Sequence, residues 1–209
     1  AASARAALQP DGTVVVQSGS QDIGTGTYTV MTQVAAESLG VPVSHVRFEL
    51  GDTALPQAPV SGGSMTAASV GPAVQAVCQK LRAQLIERAV TDPSSPLHGL
   101  PRERATLDGG WLTALDESRR REGLAALAGR ISTPIEATAE AKSGDEDKRF
   151  AAHSFGAVFV EVNVDRDLGE IRVPRVVATY DVGRRLNAKT ALSQLRGGIV
   201  WGISLALLE

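Results

Sequence analysis

The stretch Gln21-Asp22-Ile23-Gly24-Thr25-Gly26-Thr27-Tyr28-Thr29-Val30-Met31-Thr32-Gln33-Val34-Ala35-Ala36-Glu37 passes from a glycine- and hydroxyl-rich loop into an apolar helical pattern. Ser61-Gly62-Gly63-Ser64-Met65-Thr66 repeats this arrangement before a second helical pattern, which runs from Val70 to Leu85. Glycine lets a backbone approach a ligand closely, and a helix N-terminus offers unpaired N–H groups to an anion. The two loops are therefore candidates for holding a phosphate-bearing cofactor. The alternative is that both are ordinary turns, in which Gly and Ser are common.

The charge pattern limits what the loops could bind and how. The 209 residues carry a net charge of -2, which gives no general attraction to nucleic acid. No Lys or Arg lies between Arg5 and Arg47, or between Arg47 and Lys80. An anion at either loop would therefore be held by backbone N–H groups and hydroxyls. The lysine of the NTPase phosphate loop is missing, and the glycine spacing does not fit the dinucleotide fingerprint.

Metal and membrane signals are weak. Cys78 is the only cysteine, so this chain cannot hold an iron–sulfur cluster alone, and its place in an apolar helical pattern predicts a buried thiol. The three histidines are far apart and form no metal-ligand pattern. The apolar run at residues 197–208 is too short to cross a bilayer, and no signal peptide is visible. We therefore expect no metal ligands in this chain and no membrane span.

The hydrophobic patterns predict an α+β fold with mixed sheets, hairpins and packed helices rather than a doubly wound parallel sheet. Short strands are predicted at residues 13–17 and 46–50, and half a hairpin at Ala4–Leu8, closed by Pro10-Asp11-Gly12. The alternating residues 158–165 and the segment Glu170–Asp181 form a second predicted hairpin, and Asn187 is the predicted cap of a last helix.

Three segments are expected along the chain. Residues 1–90 form a first lobe with both glycine-rich loops, and 151–209 form the hairpin and a glycine-rich helix. Residues 91–150 are rich in proline and charge and are predicted to be a variable, solvated connection with minor elements. Within it, Glu117–Ala128 is predicted as a short helix.

The two loops and the blocks that follow them resemble one family. After the stretch quoted above come Gly51-Asp52-Thr53, Ser61-Gly62-Gly63-Ser64-Met65-Thr66-Ala67-Ala68-Ser69-Val70-Gly71, His153-Ser154-Phe155-Gly156-Ala157 and Ser193-Gln194-Leu195-Arg196-Gly197-Gly198-Ile199-Val200-Trp201-Gly202. In this order they resemble the molybdopterin-binding large subunit of the xanthine dehydrogenase/aldehyde oxidase family. The resemblance covers nearly all of the chain except roughly residues 91–150.

This resemblance implies a molybdenum hydroxylase, in which a molybdenum–molybdopterin cofactor oxidises an aldehyde or an N-heterocycle with oxygen derived from water. The form of the first loop implies the cytosine dinucleotide version of the cofactor. Iron–sulfur clusters of the 2Fe-2S type and FAD are expected on other domains or subunits. The implied partners are the remainder of the large subunit and these iron–sulfur and flavin subunits.

The resemblance also implies which residues contact the cofactor. Thr25 and Gly26 belong to the first loop, and the family often has glutamine where Thr25 stands. Gln194 matches a glutamine that reaches the pterin from the last helix. The complete set of implied cofactor-binding residues is Thr25, Gly26, Ser61, Gly62, Gly63, Ser64, Thr66 and Gln194. No catalytic residue is assigned here, because the family's glutamate lies in a Gly-x-Gly-Glu segment expected beyond residue 209.

A fragment of a larger polypeptide is therefore expected to be inactive alone and to hold the cofactor poorly. The alternative is a non-catalytic assembly or binding protein of the same fold that has lost its metal site. A Gly-x-Gly-Glu segment downstream would distinguish the two. The expected compartment is the cytoplasm, and the alternative is the periplasm, as part of an exported complex.

Overall fold

The computed structural model describes residues 1–142, 144–151 and 153–208, without the side chains of Glu146 and Asp147. The chain divides into two compact units, Ala1–Ser143 and Gly144–Glu209. Within the described ranges, no helix is long and apolar enough to span a membrane. The mixture of sheets and helices confirms the predicted α+β class.

Strands and helices alternate irregularly along the chain. The strands are β1 (Ala2–Leu8), β2 (Val14–Gln17), β3 (Val46–Glu49), β4 (Ala105–Asp108), β5 (Trp111–Ala114), β6 (Arg121–Gly123), β7 (Glu136–Ala141), β8 (Phe155–Asp165) and β9 (Glu170–Asp181). The helices are α1 (Thr27–Leu39), α2 (Thr66–Thr91), α3 (Leu124–Arg130), α4 (Glu146–Arg149) and α5 (Ala188–Leu207), with 3-10 turns at Val43–His45 and Arg102–Arg104.

The main sheet of the first unit has the order β3-β2-β1-β7. β1 is antiparallel to both β2 and β7, whereas β2 and β3 are parallel. The predicted turn at Pro10-Asp11-Gly12 closes the β1–β2 hairpin, and the Asp11 carboxylate accepts the Thr13 N–H at 2.9 Å. The predicted strands at 13–17 and 46–50 are confirmed as β2 and β3: β2 is a run of three buried valines, and β3 buries Phe48.

Helix α2 lies at the centre of the first unit. Its buried residues recur at helical spacing on the face that packs on α1, β1, β7 and β4. The fully buried members are Val70, Ala73, Val74, Val77, Cys78, Leu81, Leu85 and Ala89. Burial confirms the interpretation of Cys78 as a structural thiol and raises its pKa to about 12, which leaves it protonated and unreactive.

The prediction of a solvated connection at residues 91–150 is wrong. β7 joins the main sheet beside β1, and β4, β5 and β6 form a three-stranded antiparallel sheet. Leu107, Leu112 and Leu127 are fully buried and belong to the same core as α2. The predicted helix at Glu117–Ala128 is also displaced, since β6 occupies Arg121–Gly123 and α3 begins only at Leu124. Residues 91–142 are thus part of the first unit rather than a separate segment.

A partly buried polar cluster connects the C-terminus of α2 to this small sheet. The Arg130 guanidinium donates to Glu122 at 2.6 Å and to Asp92, the C-cap of α2, at 3.1 Å. Ser95 donates to the other Glu122 oxygen at 2.5 Å, and the Glu122 side chain is only 4% exposed. A carboxylate this deeply buried requires such partners, because desolvation without them is costly.

The second unit contains the predicted hairpin and the predicted last helix. β8 and β9 pair antiparallel with a register shift between Glu161 and Asn163. The Asn187 side chain caps α5 by accepting the Thr190 N–H at 2.9 Å, as predicted. Large apolar side chains are exposed on both elements, including Phe155, Phe159 and Trp201.

We predict that Arg130→Met lowers the free energy of unfolding by about 3 kcal/mol, because it leaves the buried Glu122 carboxylate without its charged partner. Arg172→Met is the matched control. Its partner Glu170 is half-exposed, and we expect a change below about 0.5 kcal/mol. Urea denaturation of the natural polypeptide measures both values, and equal effects of the two substitutions would contradict the role given to the cluster.

Candidate functional site

The first loop joins β2 to α1 and is organised by the carboxylate of Asp22. One oxygen accepts the N–H groups of Gly24 at 2.9 Å and Gly26 at 3.3 Å, and the other accepts that of Tyr28 at 3.2 Å. Gly24 and Gly26 have φ values of 95° and 82°, which glycine adopts without strain. Asp22 thereby satisfies amides at the start of α1, although the N-cap residue itself is Gly26.

Two opposing effects act on the pKa of Asp22. Desolvation by burial raises the pKa, but hydrogen bonds from the backbone amides of Tyr28, Gly24, Gly26 and Thr25 together lower it by more. The net result is a pKa below the ordinary value of 3.8. The loop therefore contains a fixed negative charge at neutral pH, at the helix end where an external anion would otherwise be attracted.

This arrangement limits how Thr25 and Gly26 can contribute to binding. The Gly26 amide already faces the Asp22 carboxylate. The Thr25 hydroxyl lies 3.2 Å from that of Thr27, and Thr25 is half-buried. A ligand at the first loop would meet hydroxyl and carbonyl groups rather than a set of open amides.

The second loop has the opposite character. Gly63 and Ser64 are both left-handed, with φ values of 60° and 56°, and Ser64 is the only non-glycine residue with positive φ among the described residues. Met65, the N-cap of α2, offers no side-chain hydrogen bond. Within the described part of the chain, the amides of Gly63, Ser64 and Met65 have no hydrogen-bond acceptor. A left-handed residue next to a right-handed one, here Ser64 and Met65 (φ -95°, ψ -10°), directs successive amides toward one side, where they can hold an anion.

The implied residues of the second loop are also accessible. Gly62, Gly63 and Ser64 are exposed, and Ser61 and Thr66 are half-buried. A carboxylate comparable to Asp22 is missing from this loop, so its open amides are the principal polar feature of the site. The role of residues 61–66 in binding a cofactor stays a prediction, and their exposed, open amides are the geometry that would permit it.

Gln21 holds the two loops together. Its side-chain Oε1 accepts the Ser61 N–H at 3.1 Å, and its backbone carbonyl accepts the Ser61 hydroxyl at 3.3 Å. The neighbouring segments meet as well, because the Gly19 N–H donates to the Pro56 carbonyl at 2.6 Å. The structure thus brings Thr25 and Gly26 into the same loop cluster as residues 61–66.

Some residues of the quoted stretches serve the fold, and others were missed. Ser18 and Ser20 are fully buried, and the Ser18 hydroxyl donates to the Ser3 carbonyl at 2.9 Å. Gln21 and Asp22 were not among the predicted site residues. Asp22 could have been found, since Asp before Gly-x-Gly at a helix start is a typical side-chain turn. The Gln21–Ser61 contact spans 40 positions and has no local sequence signal.

The remaining implied residue, Gln194, lies on α5 in the second unit, where it is exposed. Among the residues that the structure describes, no group of three or more His, Cys, Asp and Glu side chains could hold a metal ion.

We predict that Asp22→Ala lowers the free energy of unfolding by about 1 kcal/mol, the usual effect of losing a helix N-terminal acceptor. Because the folded-state pKa of Asp22 is depressed, its contribution is present above pH 3.8 and is lost as the pH falls through that lower folded-state value. Urea denaturation as a function of pH measures the difference. Asp52→Ala, which removes a carboxylate that accepts the Ala54 N–H at 2.8 Å, is the control with the smaller expected effect.

Ser64→Gly is predicted to raise the free energy of unfolding by about 0.5 kcal/mol. Relief of a left-handed non-glycine residue gains about 1–2 kcal/mol, and the added freedom of the unfolded chain offsets part of it. Ser61→Gly, at a residue without positive φ, should instead be destabilising. Thermal unfolding of the two variants compares them, and a loss of stability in Ser64→Gly would contradict the strain argument.

Comparison with known proteins supports the cofactor interpretation. Residues 1–209 match the molybdopterin cofactor-binding domain family. The chain is 36% identical over 206 residues to the aldehyde oxidoreductase molybdenum-binding subunit PaoC of Escherichia coli K12, covering 99% of this chain and 26% of that protein. It is 30% identical over 217 residues to the putative xanthine dehydrogenase molybdenum-binding subunit XdhA of the same strain, covering 100% of this chain and 28% of the relative. The chain thus spans about a quarter of the length of these curated relatives.

Solved structures show the same fold. Quinoline 2-oxidoreductase from Pseudomonas putida 86 superposes with a TM-score of 0.78 at 23% identity, over 95% of this chain and 25% of that one. The reconstituted CO dehydrogenase from Oligotropha carboxidovorans gives a TM-score of 0.79 at 22% identity, over 94% of this chain and 24% of that one. With a family match along its whole length, the chain belongs to the molybdopterin cofactor-binding domain family.

Proposed function

We propose that this chain is the part of a molybdenum hydroxylase large subunit that binds the phosphate-bearing end of the molybdopterin cofactor. The observation that carries the proposal is the second loop. The left-handed pair Gly63–Ser64 directly precedes the N-cap of α2, and the amides at this helix start have no acceptors within the described ranges. The family match and the resemblance of both loops support the same assignment.

The residues present fit such a group. The cofactor is anionic, and the amides of Gly63, Ser64 and Met65 with the Ser61 and Thr66 hydroxyls are donors suited to phosphate oxygens. The absence of Lys and Arg from residues 48–79 means that these donors would act without a formal positive charge. On the resemblance, Thr25 and Gly26 are further proposed cofactor contacts in the first loop, and Gln194 is a proposed contact on α5 of the second unit.

The bound cofactor would supply the redox chemistry, namely oxidation of an aldehyde or N-heterocycle with oxygen derived from water. This chain's part is to hold and orient it. We propose the cytosine dinucleotide form, with 2Fe-2S clusters and FAD on other domains or subunits. The single, buried cysteine of this chain is consistent with clusters held elsewhere. We expect residues 1–209 alone to be inactive, with the catalytic glutamate outside them.

The first test uses the complete natural polypeptide, purified with its co-expressed partners. Molybdenum is measured by mass spectrometry, and any nucleotide is identified after release by acid. About one molybdenum and one cytidine monophosphate per large subunit supports the proposal. Absence of both, from a cell able to make the cofactor, would overturn it in favour of the non-catalytic protein of the same fold.

We further predict that Ala68→Glu lowers the molybdenum content at least about tenfold while preserving or raising thermal stability. A glutamate at the third helical position can reach back to the N-cap amide, and it repels an anion at the same end. Gln79→Glu adds the same charge on an exposed face about 16 Å along α2, beyond the screening length, and should leave the molybdenum content unchanged. If both variants retain molybdenum, the second loop is not where the phosphate binds.

A further inference from the structure

We infer that Gln21 is a positioning residue that fixes the second loop for cofactor binding. The inference rests on the proposed function, in which the second loop holds the cofactor's phosphate. It adds a residue outside the set implied by the resemblance, and it assigns Gln21 an action on the cofactor through the loop rather than a direct contact.

All polar groups of the Gln21 side chain are used within the loop cluster. Oε1 accepts the Ser61 N–H at 3.1 Å, and Nε2 donates to the Gly19 carbonyl at 3.1 Å. The same residue's carbonyl accepts the Ser61 hydroxyl at 3.3 Å. Gln21 is nevertheless exposed, so these bonds do not arise from burial in the core. An exposed glutamine loses side-chain entropy when it is held in this way, which makes a purely incidental contact a poor explanation.

The Ser61 contact lies just before the open amides of the second loop, so it can determine where those amides are placed. The preceding segment is attached to the first unit by the Ser3 N–H to Gln57 carbonyl bond of 2.7 Å and by the Gly19–Pro56 bond. After Ser61, the chain passes through the left-handed residues Gly63 and Ser64 to α2. In the described residues, the Gln21–Ser61 bonds are the last ones to another segment before the open amides, because the Gly62 N–H donates only to Val60 within the loop, at 3.0 Å.

Of the two groups in the hydrogen bond between Gln21 Oε1 and the Ser61 N–H, only the Gln21 side chain can be removed by substitution. The Ser61 N–H belongs to the backbone and persists in any Ser61 variant other than proline. Gln21 precedes Asp22, which shapes the first loop through the amides of Gly24, Gly26 and Tyr28. Asp22 thus shapes the first loop and Gln21 contacts the second, so that the Gln21–Ser61 contact sets the distance between the loops.

The test measures the rate at which molybdenum is lost from the complete polypeptide with its partners. Protein is incubated for set times and passed through gel filtration, and molybdenum per polypeptide is then determined by mass spectrometry. Gln21→Met keeps the size of the side chain and removes both hydrogen bonds. Only the bond to Ser61 reaches the second loop, so we expect Gln21→Met to lose molybdenum about 5-fold faster than the wild type, the factor that corresponds to one net hydrogen bond.

Two further variants separate positioning from general destabilisation. Gln17→Met removes a glutamine that donates to Glu49 at 2.6 Å on the same sheet, outside both loops. It should lower the melting temperature without changing the rate of molybdenum loss. Gln21→Glu retains the acceptor for Ser61 but adds a negative charge. In about 0.5 M salt, where that charge is screened, its rate should return to within about twofold of the wild type.

The outcomes distinguish this inference from the proposed function. A wild type that contains no molybdenum would overturn the proposed function, and the role of Gln21 with it. A loaded wild type with unchanged molybdenum loss in Gln21→Met would overturn the inference alone. Equal acceleration in Gln17→Met and Gln21→Met would also overturn it, because the effect would then follow stability rather than loop position.

Discussion

The burial of one face of α2 is the constraint on which the first unit depends. This face contacts the main sheet, α1 and the small sheet, and full burial of a single Leu or Val contributes roughly 1.5–3 kcal/mol. The second loop leads directly into the N-terminus of α2, and its C-cap, Asp92, binds Arg130 of α3. The same helix therefore holds the candidate site at one end and the small sheet at the other.

The two loops look alike in sequence but differ in chemistry. The first satisfies its helix start internally, because the Asp22 carboxylate occupies the amides that a ligand would need. The second leaves its helix start open and adopts left-handed backbone to do so. Two loops with a similar content of glycine and hydroxyl residues therefore differ in function: the amides of the first are occupied by its own carboxylate, whereas those of the second are able to bind an anion. A single carboxylate makes this difference.

Local periodicity accounts for what could be predicted from the sequence. β2, β3, α1, α2 and the β8–β9 hairpin have strong patterns and turn signals, and they were found. The strands at residues 105–123 are three or four residues long, with one buried leucine each in β4 and β5 and none in β6. These strands are buried only because they pair with one another and pack on α2. The composition of residues 91–150 does not show this and indicated a solvent-exposed connection instead. The loop residues were suggested by resemblance, whereas the Gln21–Ser61 bond required the folded chain.

The place of β1 within the main sheet has a consequence for the order of folding. β1 pairs with β2 across a short turn, but its other partner, β7, begins only at Glu136. During synthesis, that edge of β1 stays unpaired until more than a hundred further residues have been made, and unpaired edges invite pairing with other chains. The buried residues of β1 are Ala2, Ala4, Ala6 and Leu8, and Arg5 points outward between them. Small side chains and a central positive charge make a poor template for aggregation. The edge of β1 that stays unpaired until β7 is made therefore has a low tendency to pair with other chains.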